Sequence, residues 1–180
     1  MKNIVLTGFM GTGKTEVGKV LAKKLGLIFM DIDQLIEKEQ GMPVTRIFEE
    51  RGEKAFREIE TEAVRKVSGM KNLVISTGGG AVLREENIIN LKSSGILICL
   101  SASPEVVFRR IGSNKNRPLL QVPAPFQKIK ELMELRRPYY EKSDIIIETD
   151  GMTPLLVADE VISVLPHLND AKAGEKNGKC

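Results

Sequence analysis

Residues 8–15 read GFMGTGKT, a G-x-x-x-x-G-K-[ST] pattern. It sits between a short apolar run, Ile4-Val5-Leu6, and a segment of helical periodicity through Val17, Val20, Leu21 and Leu25. A strand before and a helix after are the context this pattern needs. Its glycines let backbone N–H groups turn inward around phosphate oxygens, and the following helix N-terminus adds the positive end of a dipole. Lys14 is placed to reach the β and γ phosphates of a nucleoside triphosphate, and the Thr15 hydroxyl to ligate Mg²⁺. The plainer reading is a glycine-rich strand-to-helix turn. A phosphate cradle serves kinases, switches and motors alike, so the activity has to be argued from the rest of the chain.

Apolar runs of strand length alternate with helical periods. Leu27 to Met30 reads as a second buried strand ending at Asp31, followed by a helix from Ile32 to Gln40 that Gly41 stops. Pro43 opens a further helix, whose rhythm continues from Glu53 to Val67. Leu73-Val74-Ile75 is the third strand, and Ile96 to Leu100, after a helix through Ile88 and Leu91, the fourth. Ser103 and Pro104 are a helix cap and a first-turn proline. An irregular stretch from Gly112 to Pro125 precedes a helix to Tyr140, a fifth strand from Asp144 to Glu148 and a last helix from Thr153 to Leu165. Near-continuous apolar strands separated by helices predict an α/β fold, a parallel sheet covered on both faces. Ligands of such folds bind beyond the carboxyl ends of the strands.

Composition narrows the function class. The 180 residues carry 27 Lys and Arg against 24 Asp and Glu, a net charge of +3 that excludes a strongly basic nucleic-acid coat protein. Aromatics are 4% with no Trp, too few for a cleft built on stacked rings. Cys99, Cys180 and His167 offer neither a disulfide framework nor a zinc site, which suits a reducing interior. No apolar stretch approaches the roughly 18 residues needed to span a bilayer. A cytoplasmic protein without membrane or nucleic-acid partners, working as a monomer, is the expectation.

The strand ends supply the candidates for chemistry. Asp31 and Asp33, two apart, are read as leaving the second strand on one side, one to serve a Mg²⁺ shell and one to accept a proton. Alternatively, Asp33 only caps the next helix. Arg57 lies four residues after Glu53 and three before Glu60, spacing that also fits ordinary ion pairs on an exposed helix. Gly78-Gly79-Gly80 makes a loop that a substrate can approach closely, or a plain turn. From Val106 to Lys130 there is no acidic residue but six basic ones, Arg109, Arg110, Lys115, Arg117, Lys128 and Lys130. That suits a positive flap closing over a polyphosphate, a solvated basic face, or a nucleic-acid patch.

Taken together, GFMGTGKT, DID, FEERGEKAFREIE, STGGG, RPLL and ELRRPYY, in this order and spacing, resemble the shikimate kinases, from Lys2 to about Leu165. The resemblance implies the P-loop nucleoside-monophosphate-kinase fold, three α/β/α layers with a five-stranded parallel sheet in the order 2-3-1-4-5. It implies transfer of the γ-phosphoryl of ATP to the 3-hydroxyl of shikimate, with Mg²⁺ served by Thr15 and Asp31. Carried over residue by residue, Gly11, Thr12, Gly13, Lys14, Thr15 and Glu16 hold the nucleotide, with Arg117 on the phosphates and Arg110 near the adenine. Asp33 binds the shikimate hydroxyls and acts as base. Arg57 and Arg136 grip the carboxylate, Gly78, Gly79 and Gly80 line the ring, and Glu60 orients Arg57. Asp33, Lys14 and Arg117 are thereby the catalytic set. One domain over 1–168 with a lid at about 112–125 is expected, and a polar, disordered tail over 169–180. Residues 148–154, ETDGMTP, lack the basic residue frequent in the family's adenine loop. Two other readings stay open, a kinase for gluconate or a nucleoside monophosphate, and an ATP-dependent module without enzyme activity.

Overall fold

The computed structural model describes residues 2–111, 120 and 122–176. Five strands form one sheet: β1 (Asn3–Thr7), β2 (Ile28–Asp31), β3 (Leu73–Ser76), β4 (Gly95–Ser101) and β5 (Ile145–Glu148). Their order is β2-β3-β1-β4-β5, and every pairing is parallel. The helices are α1 (Lys14–Leu25), α2 (Ile32–Gln40), α3 (Val44–Ser68), α4 (Glu85–Ser94), α5 (Pro104–Ile111), α6 (Pro125–Tyr140) and α7 (Pro154–Lys176).

Alternation along the strands sorts side chains into two cores. Val5, Leu73, Ile75, Leu97 and Cys99 face α2 to α6, where they meet Ile36, Ile47, Val64, Leu91, Val107 and Ile129. Ile4, Leu6, Val74, Ile96, Ile98 and Leu100 face the other way, onto Val17 and Leu21 of α1 and Val157 and Val161 of α7. This is the three-layer α/β/α arrangement.

Local signals set the element ends. Gly26 and Gly41 close α1 and α2 in the left-handed conformation. The Ser103 hydroxyl accepts from the Val106 N–H at the start of α5. α3 is broken at Gly52, where φ is 79° and ψ 168°, so its two halves point in different directions. The second half carries Phe56, Arg57 and Glu60.

Three expectations need correction. β2 is not a buried strand: it is a sheet edge, with Ile28 63% exposed. An edge strand has neighbours on one side only, and an apolar run does not announce its place in the sheet order. Asp31 and Asp33 do not leave one strand together, because Asp31 ends β2 while Asp33 lies in the first turn of α2. The last helix does not stop at Leu165 but continues as α7 to Lys176. Most of the expected lid, Arg117 included, and Cys180 lie outside the described residues. Among the described residues no helix is long and apolar enough to cross a membrane.

Candidate active site

The loop between β1 and α1 turns through positive φ at Gly8, Gly11 and Gly13, conformations open to glycine at little strain. Thr12 braces the loop, its hydroxyl donating to the Phe9 carbonyl at 2.9 Å. Lys14, only 8% exposed, donates to the carbonyls of Gly8 and Phe9 at 2.9 and 2.8 Å. Its ammonium thus sits within the cradle rather than in solvent. Arg110, reaching over from α5, donates to the Gly11 carbonyl at 3.1 Å.

Two carboxylates stand across from the loop. The Thr15 hydroxyl donates to Asp31 Oδ2 at 2.9 Å, while Asp31 Oδ1 accepts from the backbone of Asp33 and Gln34 at 3.1 and 3.3 Å. Asp31, not Asp33, is therefore the cap of α2. With its own carboxylate not spent on that cap, Asp33 faces the cavity. That cavity measures about 190 Å³ and is lined by Met10, Gly11, Gly13, Lys14, Thr15, Glu16, Asp31, Asp33, Ser76, Thr77, Gly78 and Gly79. Nine of these twelve were candidates from sequence. Met10, Ser76 and Thr77 were not, because in sequence they read as loop or strand-end residues adjoining the motifs.

The glycine loop after β3 is held tightly between charged groups. A Cβ on Gly78 would lie 2.9 Å from Asp33 Oδ1 and 3.0 Å from Glu60 Oε1. A Cβ on Gly80 would lie 2.5 Å from an Arg57 nitrogen. Any side chain here would displace the carboxylates or the guanidinium, so the triple glycine is a close-approach requirement rather than a plain turn.

The two candidate arginines differ in their surroundings. Arg57 rests against the rings of Phe48 and Phe56, at 5.9 and 5.3 Å from their centroids. It is paired with Glu60 at 2.7 Å and Glu53 at 3.2 Å. Burial works against its charge, but the two carboxylates outweigh it and its pKa is raised. Glu60 is fully buried. Burial pushes its carboxyl up, Arg57 opposes this, and the negative charge of Asp33 adds to it. Glu60 Oε1 has no hydrogen-bond partner among the described residues.

Arg136 is 6% exposed and pairs with no carboxylate among the described residues. Its guanidinium lies 5.7 Å from the centroid of the Phe9 ring in the phosphate loop, and Tyr140, also buried, lies one turn on in α6. A buried cation without a counter-ion is costly, and it marks a place for an anion. Neither arginine lines the 190 Å³ cavity itself. Glu60, the partner of Arg57, lies against the lining Gly78, and Tyr140, one turn from Arg136, holds the lining Gly79.

Phe9 and Tyr140 are the structural participants that sequence reasoning did not single out. The hydroxyl of Tyr140 donates to the Gly79 carbonyl at 2.6 Å. Burial pushes its phenol up to about 12, and burial likewise pushes the Cys99 thiol up to about 12. In the unfolded chain the two groups ionise near pH 10 and 8.5. Folding therefore keeps protons that the unfolded chain gives up, and stability is full below about pH 8.5 and falls as pH rises toward 12. The loss approaches ~1.4 kcal/mol per pH unit for each group in its window. Urea midpoints measured from pH 8 to 11 should fall; a level series would contradict the burial assigned to both groups.

The chain can be set beside known proteins on this geometry. A family model for shikimate kinase matches residues 10–166. A shikimate kinase of Thermodesulfovibrio yellowstonii is 52% identical over 172 residues, covering 96% of this chain and 99% of that one. Another, from Caldanaerobacter subterraneus, is 52% identical over 162 residues, 90% of this chain and 95% of the other. Among solved structures, a shikimate kinase from Acinetobacter baumannii in complex with shikimate superposes with a TM-score of 0.89 at 39% identity, covering 93% of this chain and 94% of that one. The matched span runs from the phosphate loop through both arginines into α7, and the sheet order is the one the motifs implied, so the chain belongs to the shikimate kinase family.

Proposed function

We propose that this chain transfers the γ-phosphoryl group of ATP to the 3-hydroxyl of shikimate, releasing shikimate 3-phosphate and ADP on the route to chorismate and the aromatic amino acids. The observation that carries the reading is Arg136, a buried guanidinium without a carboxylate partner among the described residues, next to a cavity that brings together a phosphate loop and Asp33. A small acceptor that bears a carboxylate and ring hydroxyls supplies the missing anion and uses the aspartate.

In this reading the backbone of Gly11, Thr12 and Gly13, with Lys14, Thr15 and Glu16, holds the ATP phosphates. Lys14 leaves the carbonyls of Gly8 and Phe9 for the phosphate oxygens. Arg110 lies against the adenine side, and Arg117 of the lid reaches the transferring group. Asp33 accepts the proton of the 3-hydroxyl as its oxygen attacks the γ-phosphorus. The bond from that phosphorus to the β–γ bridging oxygen breaks, and ADP leaves with the electron pair. Arg136 and Arg57 hold the carboxylate, and Gly78, Gly79 and Gly80 bring backbone close to the ring. Such catalysis is chiefly positioning and charge neutralisation.

Thr15 and Asp31 fit Mg²⁺, a hard cation that takes one or two protein oxygens and completes its shell with phosphate oxygens and water. Among the described residues no group of three or more His, Cys, Asp or Glu could cage a metal, so the ion would come with the nucleotide. When bound, it neutralises phosphate charge and polarises the γ-phosphoryl group. The protein's part is to orient the Thr15 hydroxyl through Asp31. One domain over 1–168 carries every residue named, so no second copy is required for the reaction.

The test is a coupled ADP-release assay with shikimate, gluconate, AMP or no acceptor. ADP release should depend on shikimate. Release independent of any acceptor would leave an ATPase, and a preference for gluconate or AMP would move the chain to another substrate.

A further inference from the structure

The hydroxyl of Tyr140 stands where three parts of the site meet. It donates to the Gly79 carbonyl, 61 residues away in the chain, at 2.6 Å. Arg136, buried like Tyr140, lies four residues back on the same face of α6, and the charge of its guanidinium acts on the phenol. Gly79 in turn packs on the phosphate loop, since a Cβ there would lie 3.2 Å from the Met10 nitrogen and 3.5 Å from the Gly8 carbonyl oxygen. Along α6, Ile129, Arg136 and Tyr140 are the buried residues, with Leu132 and Met133 packed beside them on the core, so this polar pair sits at the end of an apolar face. A phenol has one proton to give and two lone pairs to receive with. Here the proton goes to the glycine loop, which leaves the lone pairs of the oxygen to answer the charge of the neighbouring arginine.

We propose that Tyr140 is a positioning residue for the acceptor. It fixes the rotamer of Arg136 and the peptide plane at Gly79, so that the carboxylate anchor and the backbone lining the ring are held at a set separation before shikimate arrives. The proposal rests on the reading of Arg136 as the carboxylate anchor and goes beyond it, because it assigns the pre-organisation of that anchor to a group that never touches the reacting atoms. Without the hydroxyl, Arg136 keeps only an aromatic face to rest on, and the bound state must restrain a side chain that was already restrained. The penalty falls on acceptor binding, because Asp33 and the phosphate loop keep their own hydrogen bonds.

The experiment uses the full chain and the Tyr140→Phe variant, which keeps the ring and removes one oxygen. Shikimate is titrated calorimetrically without nucleotide, and steady-state kinetics are measured with both substrates. Shikimate Kd and KM should rise roughly 10- to 30-fold, the scale of one buried partner lost, while kcat falls less than about threefold and KM for ATP changes less than about twofold. In an Arg136→Lys background, the same Tyr140→Phe change should raise shikimate Kd less than about threefold, because the group it positions is already altered. A shikimate affinity within twofold of the parent, an equal penalty in both backgrounds, or a loss confined to kcat would overturn the proposal. Failure of the parent chain itself to bind shikimate would instead overturn the functional reading on which it rests.

Discussion

Replacing Arg136 by alanine is expected to weaken shikimate binding roughly 30- to 1000-fold, the effect of removing one member of a desolvated charge pair. The size follows from where the guanidinium sits. At 6% exposure, with an aromatic face at 5.7 Å and a phenol for company, it has little solvation to lose when an anion arrives. Nearly all of the Coulomb gain is therefore available to binding. Arg57 is in a different position, already neutralised by Glu60 and Glu53. Its removal would leave the fully buried Glu60 without its cation, so the effect would fall first on folding stability. Calorimetric titration of the nucleotide-free variant checks the Arg136 effect; an unchanged affinity would remove Arg136 from the carboxylate.

The second large effect is expected at Asp33. Asp33→Asn should lower kcat by about 10²-fold or more, the scale of a general base, with KM for ATP close to the parent value. The amide keeps the shape and can still meet ring hydroxyls, but it cannot take the proton. Asp31 would be unaffected, because it caps α2 and receives Thr15 through its own two oxygens. Near-normal turnover in steady-state kinetics would take the base role away from Asp33.

How much of this could be read from the chain depends on which physical scale set each feature. The phosphate loop, its flanking strand and helix, and the parallel sheet follow from local rules, namely glycine spacing, apolar runs and capping residues, and these are written in consecutive residues. The order of strands, with β2 at an edge, came with the family resemblance, while the exposure of β2 was missed because Ile28 looks in sequence like any core residue. The pairing of Asp31 with Asp33 was anticipated, but for the wrong geometric reason. The two reach the cavity because the chain switches from strand to helix between them, which places the first as cap and the second on the helix's inner face. The continuation of α7 past Leu165 could not be read from apolar periodicity, since residues 169–176 have little of it. The partners of the arginines were readable only where they are local. Glu53 and Glu60 lie within one turn of Arg57, whereas the contacts of Arg136 with Phe9 and of Tyr140 with Gly79 join distant parts of the chain.

The central claim is that a carboxylate on the acceptor is what Arg136 awaits. The most direct measurement compares the dissociation constants of shikimate and of its methyl ester, for the parent chain and for Arg136→Ala. The parent should discriminate strongly against the ester, and the variant should bind the two with nearly equal weakness. Equal discrimination in both proteins would contradict the claim, because the charge on the acceptor would then be read somewhere else.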